Sequence, residues 1–364
     1  MSLLHQIALT QIPGVGHTNA RNLMSYCGSA EEIFSAKFNV LNSIPGIGPK
    51  TAASICNHAG FDRAEAEMEF IEKYKIKPLF ITDKDYPQRL KNCGDAPVIL
   101  YFKGETDLNA AKVISIVGTR NATDYGKELC RQLVEDLQPH HPLIISGLAY
   151  GIDSMAHNEC LKNQIHTVGI LGHGLDRIYP ALNRNLAGKM LECGGLLTEF
   201  PSKTNPDREN FPKRNRIIAG ISDVTIVVEA NIKGGALITA EIANSYNRDV
   251  FAFPGRVQDE YSSGCNYLIK TNRANLISGV KDLEYLLGWS EIHAKKQKPQ
   301  LSLLLNLSAA EQKIVDVLKT RDLVEVDELA IKTNLQQSKL AVSILGLEMQ
   351  GIIIALPGKV YKLA

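Results

Sequence analysis

The residues best placed to do chemistry in this chain are glycines and arginines. Ser146-Gly147-Leu148-Ala149-Tyr150-Gly151-Ile152-Asp153 follows the apolar run Leu143-Ile144-Ile145 and precedes a helical pattern. A glycine-bearing turn from a buried strand into a helix offers an anion backbone N–H groups and the positive end of a helix dipole. Four more strand-like runs end in such turns: Gly118-Thr119-Arg120, Gly172-His173-Gly174-Leu175-Asp176, Lys233-Gly234-Gly235-Ala236 and Pro254-Gly255-Arg256. On one edge of a parallel sheet, five of them would make a single phosphate-binding surface. Basic side chains expected at that edge are Arg120, Arg184, Lys213, Arg214, Arg216 and Lys233. Pro212 suits the first turn of a helix starting near Phe211, which would direct Lys213 and Arg214 at the crevice. Phe211 and Asn215 among these charges suit bases and phosphates together.

The common cofactor signatures are missing. No Gly-x-Gly-x-x-Gly follows the first strand, no acidic residue ends the second, and no Gly-x-x-x-x-Gly-Lys-Ser/Thr occurs. Neither a dinucleotide nor P-loop ATP hydrolysis is supported. No Gly-x-Ser-x-Gly nucleophile elbow occurs either. His157 and His166 are isolated and read as core or surface residues, and Asp153 reads as a helix N-cap rather than a base. The seven cysteines form no Cys-x-x-Cys pair, which points to reduced thiols and against a zinc site or a disulfide framework. The expectation is a protein with no catalytic residue, metal or cofactor. No apolar run approaches the roughly 20 residues of a membrane span, and the N-terminus has no signal-peptide pattern, so a cytoplasmic location is expected.

The elements that must position these turns come next. The 364 residues are 45% hydrophobic and 22% charged, room for two or three globular domains. Strand-like runs fall at 79–81, 98–101, 113–117, 143–145, 166–170, 196–197, 224–228, 250–253 and 275–277, with helical stretches such as 125–137, 153–162 and 236–246 between them. Fully apolar strands alternating with helices predict an α/β, Rossmann-like, mostly parallel sheet over residues 79–289. Before it, Ile12-Pro13-Gly14-Val15-Gly16 and Ile44-Pro45-Gly46-Ile47-Gly48 recur 32 residues apart, each running into a helix. They resemble helix-hairpin-helix motifs, whose backbone holds a DNA phosphate without reading sequence. Residues 1–78 are therefore a helical helix-hairpin-helix (SAM-like) domain, or a pair of packing units with glycine needed only for the turn. Residues 65–77 read as its last helix. A Lys-rich linker at 290–307 leads to residues 308–364. There a Ser308–Glu311 capping box opens the first of three helices, and a hairpin across Pro357-Gly358 completes a winged helix. The net charge is +1, and each end region balances 7 basic against 7 acidic residues. Any nucleic-acid binding must rest on local patches, and the winged helix, lacking a basic recognition helix, is expected to contact protein.

Several motifs run in order through the middle of the chain: Gly118-x-Arg120, Ser146-Gly147-Leu148-Ala149-x-Gly151-Ile152-Asp153 and Tyr179-Pro180-x-x-Asn183. They continue with Phe211-Pro212-x-Arg214-Asn215-Arg216-Ile217-Ile218-Ala219-Gly220, Leu237-Ile238-Thr239-Ala240 and Phe253-Pro254-Gly255. Together they resemble the DNA-processing protein A family (DprA, also called Smf) over roughly residues 80–288. The resemblance implies a homodimeric single-stranded DNA-binding protein without known catalysis. Such proteins displace or cooperate with single-strand binding protein and load RecA recombinase during natural transformation. Carried over by motif, the DNA-contacting positions are Gly118, Thr119 and Arg120; Ser146, Gly147, Ala149, Tyr150 and Gly151; Phe211, Lys213, Arg214, Asn215 and Arg216; and Gly234, Gly235 and Thr239. The chain departs from the family pattern at Gly234-Gly235-Ala236, where Ser-Gly-Ser is frequent, and at Arg273-Ala274, where Gly-Ala is usual. Two other readings stand beside this one. One is a phosphoribohydrolase-like enzyme acting on nucleotides through Glu199 or Glu241, and the other is a duplex-DNA architectural protein using only its end domains.

Overall fold

The computed structural model describes residues 2–58, 61–289, 307–319, 324–356 and 360–363. Two compact units result, Met1–Ser290 and Glu291–Ala364. The expected linker at 290–307 lies outside the described residues but for Leu307, as does the Pro357-Gly358 turn.

The strands of the first unit are β1 Lys77–Phe80, β2 Ile99–Gly104, β3 Val113–Val117, β4 Leu143–Ser146, β5 Thr167–Ile170, β6 Gly194–Thr198, β7 Val224–Val227, β8 Asp249–Ala252 and β9 Asn275–Leu276. They form one sheet in the order β1-β2-β6-β5-β4-β3-β7-β8-β9. β6 through β9 in that order are all parallel, and only β1 and β2 run against their neighbours. After β1 and β2 at one edge the chain crosses to β3, winds outward through β4, β5 and β6, then returns to place β7 on the other side of β3. The two helices leaving β3 and β7 therefore diverge, and a crevice opens at the strands' carboxyl ends between them.

Alternation within the strands loads both faces. Ile114, Ile116, Ile144, Val224, Ile226 and Phe251 pack into one core with the helix Asp124–Leu137. Val113, Val117, Leu143, Ile145, Val168 and Val227 face the other way, into a core continuous with Ile7, Leu23, Leu41 and Ile55 of the N-terminal helices. The helical region is thus built onto one face of the sheet body. The two hairpin segments meet there, with Asn19 donating to the Gly14 carbonyl and Asn22 to that of Pro45. Polar ties reinforce the junction. Glu67, 1% exposed, accepts from the Ser202 N–H at 2.9 Å and hydroxyl at 2.6 Å and pairs with Arg63.

The helix expected over 65–77 is Asp62–Lys73. It stops because Lys75 takes a left-handed φ of 51° and Lys77 joins β1, opposite Phe102 of β2. A strand partner distant in sequence overrides local helical propensity there.

The second unit has helices Ala309–Leu318, Val326–Thr333 and Gln337–Met349. Its antiparallel sheet comprises β10 Val324–Glu325, β12 Val360–Leu363 and β11 Ile353–Leu356 in that order. The Ser308–Glu311 capping box is formed in both directions. Ile314, Leu329, Leu340 and Leu347 fill the core, while Val342, Leu345 and Met349 of the third helix stay exposed.

Removing the Glu67 carboxylate leaves the buried Ser202 N–H and hydroxyl unpaired at the helical junction. Glu67→Ala is expected to cost about 3 kcal/mol, read as a lower urea midpoint.

Candidate nucleic-acid interface

Three backbones are stapled together at the switch point. The Thr119 N–H, just past β3, donates to the Glu229 carbonyl past β7 at 2.7 Å, and the Thr119 carbonyl accepts from the Ile152 N–H past β4 at 3.1 Å. This approach requires two glycines. A Cβ on Gly118 would overlap Ile152, and one on Gly151, whose φ is +76°, would overlap the Thr119 carbonyl. Glu229, 2% exposed, accepts from the Thr123 N–H at 2.9 Å and hydroxyl at 2.6 Å and so fixes the loop that carries Arg120.

Above the staple lies a crevice of about 670 Å³ between the turns after β3, β4 and β7 and the helix Asn210–Ile221. Of the predicted positions, it brings together Gly118, Thr119, Arg120, Ala149, Phe211, Arg214, Asn215, Gly234, Gly235 and Thr239. Phe211 is central: the Arg120 guanidinium stands 5.6 Å from its ring, Arg214 stands 6.0 Å away, and the Tyr179 ring lies at 5.9 Å. The helix Gly235–Ser245 opens into the crevice without a side-chain cap. Asn215 donates to the Gly235 carbonyl at 3.4 Å and Thr239 at 3.3 Å. Where serines are frequent in the family pattern, the lining is backbone.

Two lining cations fell outside the site set read from the motifs. Arg208 and Lys233 border the crevice, and with Arg120 they have no carboxylate partner among the described residues. The sequence signal for Arg208 is its place three residues before Phe211, in a segment, residues 201–216, that carries five basic residues. Lys233 was counted only among the basic residues of that edge. The crevice has one anion, Asp153, which is buried beside Arg214.

The turn after β4 is used differently from expectation. Asp153 is not the N-cap, a position Gly151 holds; it lies inside the first turn of Ile152–Lys162. Its carboxylate turns back and accepts from the Ala149 N–H at 3.4 Å. The anion in this turn is therefore the protein's own. Burial raises the Asp153 pKa, opposed by Arg214 and by the Ala149 and Gly147 amides. Arg214, 4% exposed, donates to the Ile170 carbonyl at 2.6 Å, and burial lowers its pKa to about 10 against the pull of Asp153. Gly147 makes room for both, since a Cβ there would overlap the guanidinium and the carboxylate. Ser146 is buried and donates to the Ile116 carbonyl at 2.7 Å. Asn183 of the Tyr179-Pro180-x-x-Asn183 motif donates to the Leu148 carbonyl at 2.9 Å, holding a residue whose φ is +55°. His157 is buried against the Thr167 hydroxyl and stays neutral, its pKa lowered to about 3 by burial and Arg214.

Lys213 and Arg216 do not reach the crevice. Helical periodicity turns them to the opposite side of Asn210–Ile221, toward the N-terminal helices. Lys213 lines a separate cavity of about 290 Å³ with His17 and Glu199. Arg216 is 7% exposed, ion-paired with Glu199, and donates to the Asp95 carbonyl and to His17 Nε2. His17 accepts that bond as a neutral ring, lowered to about 4 first by burial and then by Arg216. Tyr150 and Gly151 line a neighbouring crevice on the far side of Arg120. Neither the Gly172–Asp176 turn after β5 nor the Pro254-Gly255-Arg256 turn after β8 lines the crevice, although Gly172 backs onto Phe211 and Tyr179 of the β5 connection reaches it, so three of the five glycine turns meet in one surface. Without the usual glycine before Ala274, Asn272 takes the left-handed conformation at φ 55°, and Arg273 pairs with Glu241 on an exposed surface.

Residues 77–287 match the family described as DNA recombination-mediator protein A. The chain belongs to this family. Residues 7–62 match a SAM-like helix-hairpin-helix tandem and 297–359 a DprA winged helix domain. Protein Smf of Synechocystis sp. is 38% identical over 289 residues, covering 78% of this chain and 72% of that protein. The X-ray structure of DNA processing protein A from Streptococcus pneumoniae superposes with a TM-score of 0.69 at 30% identity, covering 78% of this chain and 97% of that one. The family member from Helicobacter pylori, whose structure concerns its single-stranded DNA binding mode, gives 0.54 at 27% identity over 59% and 96%. Among the described residues, no cluster of metal-ligating side chains occurs and no helix is long and apolar enough to cross a membrane.

Two outcomes follow from this geometry. Gly147→Ala, whose methyl overlaps both the Arg214 guanidinium and the Asp153 carboxylate, is expected to destabilise the protein by about 1–3 kcal/mol in urea unfolding. Burial raises Glu199 to about 7 against Arg216 and Lys213, so the folded state holds its proton more tightly than the unfolded chain. That contribution is full below the ordinary carboxylate range and is lost as pH rises through about 7. The stability of wild type relative to Glu199→Gln should therefore fall between pH 4.5 and about 7, by on the order of 3 kcal/mol.

Proposed function

We propose that the protein binds single-stranded DNA in the switch-point crevice and does so without catalysis. One observation carries the reading: three cations without carboxylate partners among the described residues, Arg120, Arg208 and Lys233, line one crevice with the half-buried Phe211, and Arg120 stands over its ring. An aromatic ring in a crevice lined by cations suits a base flanked by phosphates, while recognition through backbone and charge leaves sequence unread. The Helicobacter pylori relative, studied for its single-stranded DNA binding mode, supports the same occupant.

The family resemblance extends the proposal to a role in natural transformation and recombination. In it, a cytoplasmic homodimer takes strands from single-strand binding protein and loads RecA recombinase on them. The exposed apolar face of the third winged-helix segment, Val342, Leu345 and Met349, supports a protein contact there rather than a DNA one. The nucleotide-hydrolase reading loses its acids. Glu199 is buried in an ion pair across the helix from the crevice, and Glu241 is paired with Arg273 on a flanking groove.

Titration against a fluorescent dT oligomer at several salt concentrations tests this. Wild type should bind with a steep salt slope, Arg120→Ala should weaken binding by about tenfold, and Lys233→Ala should reduce the slope by about one. Absence of binding at low salt, or release of a base from a nucleoside monophosphate, sinks the proposal.

A further inference from the structure

Arg120 borders two cavities. Beyond it lies a second crevice of about 590 Å³, lined by Lys127, Tyr150, Met155 and Asn158 together with Asn121 and Ser154. Nothing in the switch-point crevice requires these residues. We propose that this crevice is a second nucleotide subsite for the same strand. The next base stacks on Tyr150, and the phosphate between the two bases is shared by Arg120 and Lys127. The proposal rests on the single-strand reading above.

The geometry supports each part. Arg120 is exposed, has no carboxylate partner among the described residues, and lines both crevices, so a phosphate held there leaves one nucleoside on either side. Tyr150 is 43% exposed, and its ring has no aromatic partner among the described residues. It stands on a fixed base, between Leu148 at φ 55° and Gly151 at φ 76°, with the Leu148 carbonyl held by Asn183. A platform that is rigid before binding loses little entropy on binding. Lys127 is bound at 2.9 Å only by Asp124, which is fully exposed. Such a surface pair is worth little and yields readily to a phosphate. Met155 and Ala122 supply the apolar wall and Asn158 a polar edge. The arrangement repeats that of the first crevice, an aromatic face beside a cation, on the other side of one arginine.

The experiment uses the full chain and a dT oligomer of about ten nucleotides. Tyr150→Ala is expected to weaken binding by about tenfold, Tyr150→Phe to retain it, and Lys127→Ala to lower the salt slope by about one. A strand carrying 5-iodouracil should photocrosslink to Tyr150 on irradiation, mapped by mass spectrometry. If wild type binds but Tyr150→Ala binds as tightly, or crosslinks fall only around Phe211, the second subsite is wrong while the first stands. If wild type itself does not bind, the single-strand reading fails, and this proposal with it. Because Tyr150 is exposed, an unchanged urea midpoint for Tyr150→Ala separates lost contact from lost fold.

Discussion

A buried arginine sets the shape of the crevice. Arg214 gives up most of its hydration and recovers part of it by donating to the Ile170 carbonyl, with the Asp153 carboxylate acting as a nearby opposite charge. A charge at that depth is tolerable only when its partners are fixed. The hydrogen-bond partner comes from the end of β5 and the opposite charge from the helix after β4, so one side chain ties the Asn210–Ile221 helix to β5 and faces the helix after β4. Gly147 leaves the space, and Asp153 leaves the turn already neutralised. The familiar logic of a glycine turn awaiting a phosphate is redirected here: the turn spends its amides on an internal carboxylate. External charge is left to Arg120, Arg208 and Lys233, which line the crevice with Phe211 and have no carboxylate partner among the described residues.

The same helix has a second face. Phe211, Arg214 and Asn215 turn to the crevice, while Lys213 and Arg216 turn to the N-terminal helices. Arg216 bonds at once to Glu199, to the Asp95 carbonyl and to His17 at the start of a hairpin helix. A run of four basic or amide residues, Lys213–Arg216, therefore joins two different environments. Helix periodicity alone divides them, because residues one apart point about 100° from each other. The helical region is consequently part of the frame that holds the crevice helix, which agrees with the single core running from Ile7 to Ala274.

Much of this was legible in the sequence. Alternation of apolar runs with helical stretches located all nine strands of the main sheet to within a few residues, because strands buried on both faces are uniformly apolar. The Ser308–Glu311 box marked its helix start through purely local bonds. The glycine positions were also readable, although not the reason for each. Gly151 serves a left-handed backbone, Gly118 a close helix approach, and Gly147 the seat of an arginine.

The sequence by itself determined what its local rules govern: which segments become strands and helices, and where the turns need glycine. Only the tertiary structure decided which of those turns share one surface. The strand order puts β4, β3 and β7 side by side at the switch point and leaves β5 and β8 flanking them, and no residue spacing encodes that order. It likewise decided that Asp153 accepts from its own turn and that Arg216 pairs with Glu199. It decided too that Tyr150 stands across Arg120 from Phe211. Each of these depends on groups far apart in the chain meeting in space, where burial and charge pairing, rather than local propensity, set the outcome.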